Sequence, residues 1–296
     1  MPLLDCQRMD VFPGGSRFPV FLVWLLLPLL ACGEMPRHKD SRYEAIDAAE
    51  GARRLQAFRN QRLEGDYCFR FELEHLPRRG ATVRYQGTMW GSWNVRGPVT
   101  RFELNGGPGI GEGMTRAWIL QNGPEPMAWS RDADGGPFLP LEGDALFTPL
   151  LPGVVHAPFD FLMPFLYWSD YRYEGADRIR SRIARNFLMY PPSGSLVPEW
   201  LDSVRIGIDD AYNALLNIEV LEASGRTRSS FTVESFKQVQ GQWIVKRIVM
   251  KDWRSRDRTR FKVLSASLGL ALPDAVFSPV DAMETPSLSE AMFEDL

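Results

Sequence analysis

The chain has 296 residues and a formal net charge of -3, with 45% hydrophobic and 12% aromatic residues. So small a net charge gives no reason to expect nucleic acid or an acidic polymer as a partner, and the apolar content is ample for the core of one large or two small domains. The three cysteines, Cys6, Cys32 and Cys68, offer no disulfide framework, so the fold has to be held by burial.

The N-terminal run Phe18 to Cys32, which follows Arg8 and Arg17, is an export signal in pattern. Its apolar core of about 13 residues is shorter than the roughly 20 that span a bilayer. It closes on Leu29-Leu30-Ala31-Cys32, which matches a bacterial lipobox, where a small residue precedes a cysteine that receives a diacylglyceryl group. Residues 1–31 are therefore expected to be a lipoprotein signal peptide, Cys32 the lipidation site, and residues 32–42 a flexible tether. A secretory signal cut nearby is the alternative, because Leu30 is not the favoured small residue at its position. With Cys6 removed and Cys32 lipidated, Cys68 has no mate. Its place in Tyr67-Cys68-Phe69 reads as a buried structural thiol.

Beyond the tether, Tyr43, Ile46, Ala49, Leu55 and Phe58 recur at helical spacing and predict an amphipathic helix between Tyr43 and Leu63. Strand patterns then dominate. Tyr67, Phe69, Phe71 and Leu73 point one way and Cys68, Arg70 and Glu72 the other; after a turn at His75 to Gly80, Val83, Tyr85, Gly87 and Met89 repeat the alternation. Val99 to Leu104, Thr115 to Gln121 and Met127 to Ser130 are shorter strands between Gly- and Pro-rich turns. Phe159 to Trp168 is almost wholly apolar and interrupted by Pro164, which predicts a short helix or turns lying over a hydrophobic surface.

The C-terminal half reads as a meander. Tyr171 to Arg180 and Ile183 to Tyr190 form a hairpin, followed by strands around Val204 to Ile208, Ala214 to Val220, Phe231 to Val239, Trp243 to Asp252 and Thr259 to Ala266. The turns are too short for parallel crossovers, so the order is antiparallel. Trp243 to Met250 is apolar on both faces and should be covered on both. The expected architecture is mainly β: a strongly curved antiparallel sheet with a few helices on its concave face. The domain is placed at residues 43–277, with a loosely packed acidic tail at 278–296.

Motifs for chemistry are weak. Asn105 to Gly113 lacks the Lys-Ser/Thr ending of a phosphate loop, and Gly143 stands where the closing glutamate of a calcium loop at Asp132 would belong. There is no Gly-x-Ser-x-Gly elbow. His38, His75 and His156 lie far apart, and Asp209-Asp210 falls at a strand end, where a solvated turn is the default. No catalytic residue, metal or cofactor is assigned, and an enzymatic role is not expected.

Two features stand out. Aromatic residues are concentrated from Trp90 to Tyr171, more apolar bulk than one sheet face needs, which suggests a cleft for acyl chains. Arginine and lysine are dense from Arg172 to Arg185 and from Arg247 to Arg260. A solvated face is the plain reading of this density, and a patch docking on anionic head groups or an acidic partner is the other.

Phe161 to Trp168, Ala184-Arg185-Asn186-Phe187 with Pro191-Pro192, and Phe236 to Asp252 followed by Asp257-Arg258-Thr259-Arg260-Phe261 resemble the outer-membrane lipoprotein-sorting protein family, the LolA-like group. The resemblance covers roughly Leu55 to Phe277. It implies an incomplete, half-open antiparallel β-barrel closed by helices, whose apolar interior takes up the acyl chains of lipids or lipoproteins in the Gram-negative periplasm. Phe71, Trp118, Phe161, Phe165 and Trp168 are the candidates to line or cover that cavity, and Arg178, Arg180, Arg182, Arg254 and Arg256 the candidates for a basic docking patch.

One departure matters. The family's shuttle is soluble, whereas Cys32 implies a protein tethered to the membrane and facing the periplasm, which favours a receptor, acceptor or bound carrier working with another envelope transport protein; a monomer is expected. Gly33 after Cys32, rather than aspartate, points to the outer membrane. The rival reading is an envelope sensor or assembly module using the same half-barrel to bind a protein partner.

Overall fold

The computed structural model describes residues 45–280 and 284–296. The signal peptide, Cys32 and the tether lie outside the described residues. The first element, α1 (Ala48–Arg59), is shorter than the expected helix at both ends. The Asp47 side chain caps it by accepting from the Glu50 amide at 2.7 Å, and Asn60 closes it. Leu55 is its buried anchor.

Among the described residues fourteen strands follow, all in one antiparallel sheet. The first six are β1 (Asp66–Leu76), β2 (Val83–Asn94), β3 (Gly97–Asn105), β4 (Thr115–Gln121), β5 (Met127–Arg131) and β6 (Leu139–Pro140). The short helix α2 (Pro158–Leu162) separates them from β7 (Tyr171–Ile179), β8 (Arg182–Met189), β9 (Leu201–Asp209), β10 (Leu215–Glu222), β11 (Thr227–Val239), β12 (Gln242–Asp252), β13 (Arg258–Leu270) and β14 (Glu294–Asp295). The spatial order is β6-β5-β4-β3-β2-β1-β13-β12-β11-β10-β9-β8-β7, with β14 on β13. Two sequential meanders are thus zipped together by β1 and β13, which pair from Asp66 opposite Leu270 to Leu76 opposite Arg258. The sheet is not closed into a barrel: β6 and β7 stand at opposite edges.

That order sets the path of the connection between β6 and β7, which has to cross the whole sheet. Its apolar residues serve two cores in turn. Leu150, Leu151, Val154 and Leu162 join Phe71, Leu73, Phe102 and Trp118 under the first meander. Phe159, Phe165, Leu166 and Trp168 join Leu55, Phe187 and Ile206 under the second. Pro164 breaks the helix as its chemistry requires: Met163 turns to φ 48°, and Pro164–Tyr167 continues as a 3-10 turn.

The outer face of β1 to β4 is covered as well. Cys68, Trp90, Ala117 and Ile119 pack there against Phe138, Val276 and Phe277, which explains why β4 is buried on both faces. Arg101 is only 1% exposed in this layer; it pairs with Glu103 at 2.7 Å and donates to the Val276 carbonyl at 3.1 Å. Burial pushes the Cys68 thiol up to about 12, so the expected structural thiol is inert.

β12 and β13 pair only from Arg247–Lys262 to Lys251–Arg258. Beyond that the strands part, and β14 takes the vacated edge of β13 at Ser265 and Ala266. The Leu296 amide adds a bond to the Leu264 carbonyl at 2.8 Å. The end of the tail expected to pack loosely is thus largely exposed yet held at residues 290–296, with Arg70 paired to Glu290 and lying over the Phe293 ring.

Candidate functional site

Where β12 leaves β13, the inner face opens into a cleft of about 430 Å³. Its floor is strand-borne: Tyr67 and Phe69 from β1, Met89 and Trp93 from β2, and Leu120 from β4. Ile244 and Ile248 from β12 and Phe261 from β13 form the far wall. The crossing segment supplies the roof with His156, Asp160, Phe161 and Met163, and the turn between α1 and β1 supplies the rim with Gln61, Arg62 and Leu63.

The floor depends on glycine. Tyr67 lies opposite Gly91 in the β1–β2 register, and a Cβ at Gly91 would overlap the Tyr67 ring. The bare backbone lets the ring lie across β2 and stack on Phe69, with centroids 4.5 Å apart. Phe161 stacks on Phe102 of β3 at 5.0 Å, which stacks in turn on Trp118 at 4.9 Å.

The roof carries two titratable side chains, Asp160 and His156. The Asp160 carboxylate accepts from the Ala157 amide at 2.7 Å, but burial outweighs that bond and pushes its pKa up to about 7. His156 is 2% exposed; burial pushes it down to about 3, so the ring is neutral, and its Nδ1 has no hydrogen-bond partner among the described residues. At neutral pH the interior is therefore weakly charged and mostly apolar.

A second pocket of about 300 Å³ adjoins the cleft, sharing Gln61, Arg62, Leu63, Trp93 and Pro98 with it. Arg59 lies on its far wall. A third groove continues past Arg62 to Arg182, Tyr212 and Trp243. Arg182 is neutralised there by Asp209 and stacked over the Tyr212 ring at 4.6 Å.

Of the five expected cavity residues, Phe161 lines the cleft. Phe71 and Trp118 are buried in the core behind it, and Phe165 and Trp168 belong to the core under the second meander. The lining that the sequence left unassigned, including Tyr67, Met89, Trp93, Ile248 and Phe261, is legible only as inward positions of strand alternation.

The five arginines do not form one patch. Arg178, Arg180 and Arg182 sit around the β7–β8 turn, and Arg254 and Arg256 at the β12–β13 turn, at the other end of the strands. Arg180 is paired with Glu234 at 3.1 Å. The Asp209-Asp210 turn also departs from expectation, because it is not solvated. Asp209 is 3% exposed, held by Arg182 and by the Ala211 and Tyr212 amides, and Asp210 is engaged by Arg54 and Arg185. The strand end curls back under two arginine-bearing elements, so both carboxylates are spent in ion pairs.

A family model described as "Uncharacterized protein" matches residues 202–284. No curated protein matches the chain. Among solved structures the chain is similar to a DUF1329 family protein from Desulfovibrio piger, with a TM-score of 0.64 at 12% identity over 77% of this chain and 95% of that one. It is similar to a domain from Vibrio parahaemolyticus attributed to an outer membrane lipoprotein-sorting protein, with a TM-score of 0.63 at 13% identity over 77% and 94%. A LolA superfamily protein from Nitrosomonas europaea gives a TM-score of 0.53 at 16% identity over 79% and 98%.

At such identities the likeness is one of fold, and the fold is LolA-like: an open antiparallel sheet with a few helical segments against it. Among the described residues this sheet has fourteen strands, the last of which pairs with β13 where β12 has parted from it.

Proposed function

We propose that this protein is a non-catalytic lipid- or lipoprotein-binding protein of the Gram-negative cell envelope, which takes acyl chains into the cleft at the β12–β13 seam. The observation that carries the reading is the cleft itself. It is apolar on floor and walls, opens to solvent past Arg62, and has the size of a small-molecule site. Each methylene buried there is stabilised by about 0.8 kcal/mol. The LolA-like fold supports the same reading, since one structure of similar fold is attributed to outer membrane lipoprotein sorting.

The lipobox-like ending at Cys32 supports reading the protein as a tethered acceptor or carrier in the periplasm, anchored in the outer membrane, rather than as a free shuttle. Cys32→Ala should release it from membranes or leave its signal uncleaved.

Native mass spectrometry of the full chain, purified without delipidation, tests the binding role. Wild type should carry lipid adducts, and Ile248→Trp, which fills the cleft from its wall, should lose them. A wild-type chain that stays lipid-free after incubation with phospholipid vesicles would sink the proposal. A filled variant that still captures a specific envelope protein would favour the sensor reading instead.

A further inference from the structure

Resting on that reading of the cleft, the pocket beside it bears on what the ligand's other end must be. We propose that Arg59 and Arg62 seat an anionic head group, phosphate or carboxylate, of an amphiphile whose acyl chain lies in the cleft. Arg59 reaches the pocket from the end of α1, donating to the Leu166 carbonyl at 2.5 Å and the Trp168 carbonyl at 2.8 Å. Its carbon centre lies 6.0 Å from the Tyr167 ring and 5.8 Å from the Tyr171 ring. Carbonyls and rings orient a guanidinium but do not cancel its charge. Burial disfavours the charged form of Arg59, as expected of a cation with no carboxylate beside it.

Arg62 is exposed at the rim, and among the described residues it has neither an ion-pair nor a hydrogen-bond partner. Most other arginines around the sheet are paired: Arg54 and Arg185 with Asp210, Arg182 with Asp209, and Arg205 with Glu174 and Glu219. None of the described groups lining the 300 Å³ pocket is a carboxylate. The pocket also holds two polar amides, Asn122 and Asn213, the latter donating to Gln61 at 2.9 Å.

Asp160, in the cleft roof, completes the polarity. An anionic head is repelled from Asp160 and attracted to the arginine pocket, so the chain enters the cleft and the head stays at the rim. Arg62 borders both spaces and is the specificity-determining residue.

Calorimetric titration of the full chain at pH 8 tests this with three probes: dodecyl phosphate, dodecyl glucoside, each below its micelle threshold, and inorganic phosphate. Wild type should bind dodecyl phosphate at least about tenfold more tightly than the glucoside, the scale of one charge-assisted contact. Arg62→Gln should narrow the ratio to about threefold or less, and raised salt should do the same to wild type. A urea unfolding midpoint equal to that of wild type shows that the variant is folded.

Equal affinity for both amphiphiles in wild type would overturn the head-group assignment while the acyl-chain reading stands. So would discrimination that survives in Arg62→Gln. Inorganic phosphate binding as tightly as dodecyl phosphate would make the pocket a free-anion site and refute the amphiphile. Binding of neither amphiphile would overturn both readings together.

Discussion

The roof of the cleft makes a pH prediction in which two opposite effects conceal one another. Asp160 rises from 3.8 to about 7 in the folded chain, so between those values the native state holds a proton that the unfolded state has lost. Its contribution to stability is full below 3.8 and declines as pH rises, by about 1.4 kcal/mol per pH unit. His156 falls from 6.5 to about 3, so over the same range the unfolded state holds a proton that the native state lacks. Its contribution is full above 6.5 and declines as pH falls, with the same slope and opposite sign. From pH 4.5 to 6 the two cancel, and wild type shows no net dependence from this pair.

Removing one partner unmasks the other. Asp160→Asn should lose roughly 2 kcal/mol relative to wild type on going from pH 6 to 4.5, the slope multiplied by 1.5 pH units. His156→Gln should gain about as much over the same interval, and the double variant should again be level. Urea unfolding at several pH values and fixed ionic strength measures this, and subtracting wild type removes every other titration. A difference between Asp160→Asn and wild type that stays within about 0.5 kcal/mol across the window would mean that Asp160 is ionised in the folded cleft, and the reasoning would fail.

Three further outcomes follow from the packing. Gly91→Ala puts a methyl group into the Tyr67 ring and should destabilise by about 1–3 kcal/mol in urea unfolding, whereas in a Tyr67→Ala background the same change should cost much less. Arg101→Met breaks a buried pair and should cost about 3–5 kcal/mol, with part of it recovered by adding Glu103→Leu; equal losses in the single and double variants would show that the pair is not the cause. Deleting Glu294 to Leu296 bares the edge of β13, so amide exchange across Leu264 to Ala266 should speed up and sedimentation should show self-association; unchanged exchange would mean that β14 contributes nothing.

Much of the fold was readable because strand periodicity is a local signal. Tyr67, Phe69, Phe71 and Leu73 do face one way, and the break between the strands expected at Phe231 to Val239 and Trp243 to Asp252 is a turn at Gln240-Gly241, both residues at positive φ. What a local signal cannot carry is which strands meet across the chain. The β1–β13 zipper joins residues about 190 positions apart, and it decides that Phe71 and Trp118 lie behind the cleft rather than in it. The same gap explains the arginines: spacing records that Arg178 to Arg182 and Arg254 to Arg256 are each dense, but only the register sends them to opposite ends. Asp209 looked solvated because nothing in its neighbourhood foretells that Arg54 of α1 and Arg182 of β8 converge on that turn.

The cleft lies where two separately satisfied cores meet without merging. Ile248 of β12 packs against both clusters, and beside it β12 parts from β13 and leaves the space that the cleft occupies. Closing that gap with protein atoms would favour folding, since unfilled apolar space forfeits dispersion contacts. A bound chain supplies those missing contacts without altering the strands. Ligand and fold should therefore be linked: acyl-chain binding should raise the unfolding midpoint of wild type in proportion to the logarithm of free ligand. Ile248→Trp should start from a higher midpoint and respond to no ligand, because the same space cannot be filled twice.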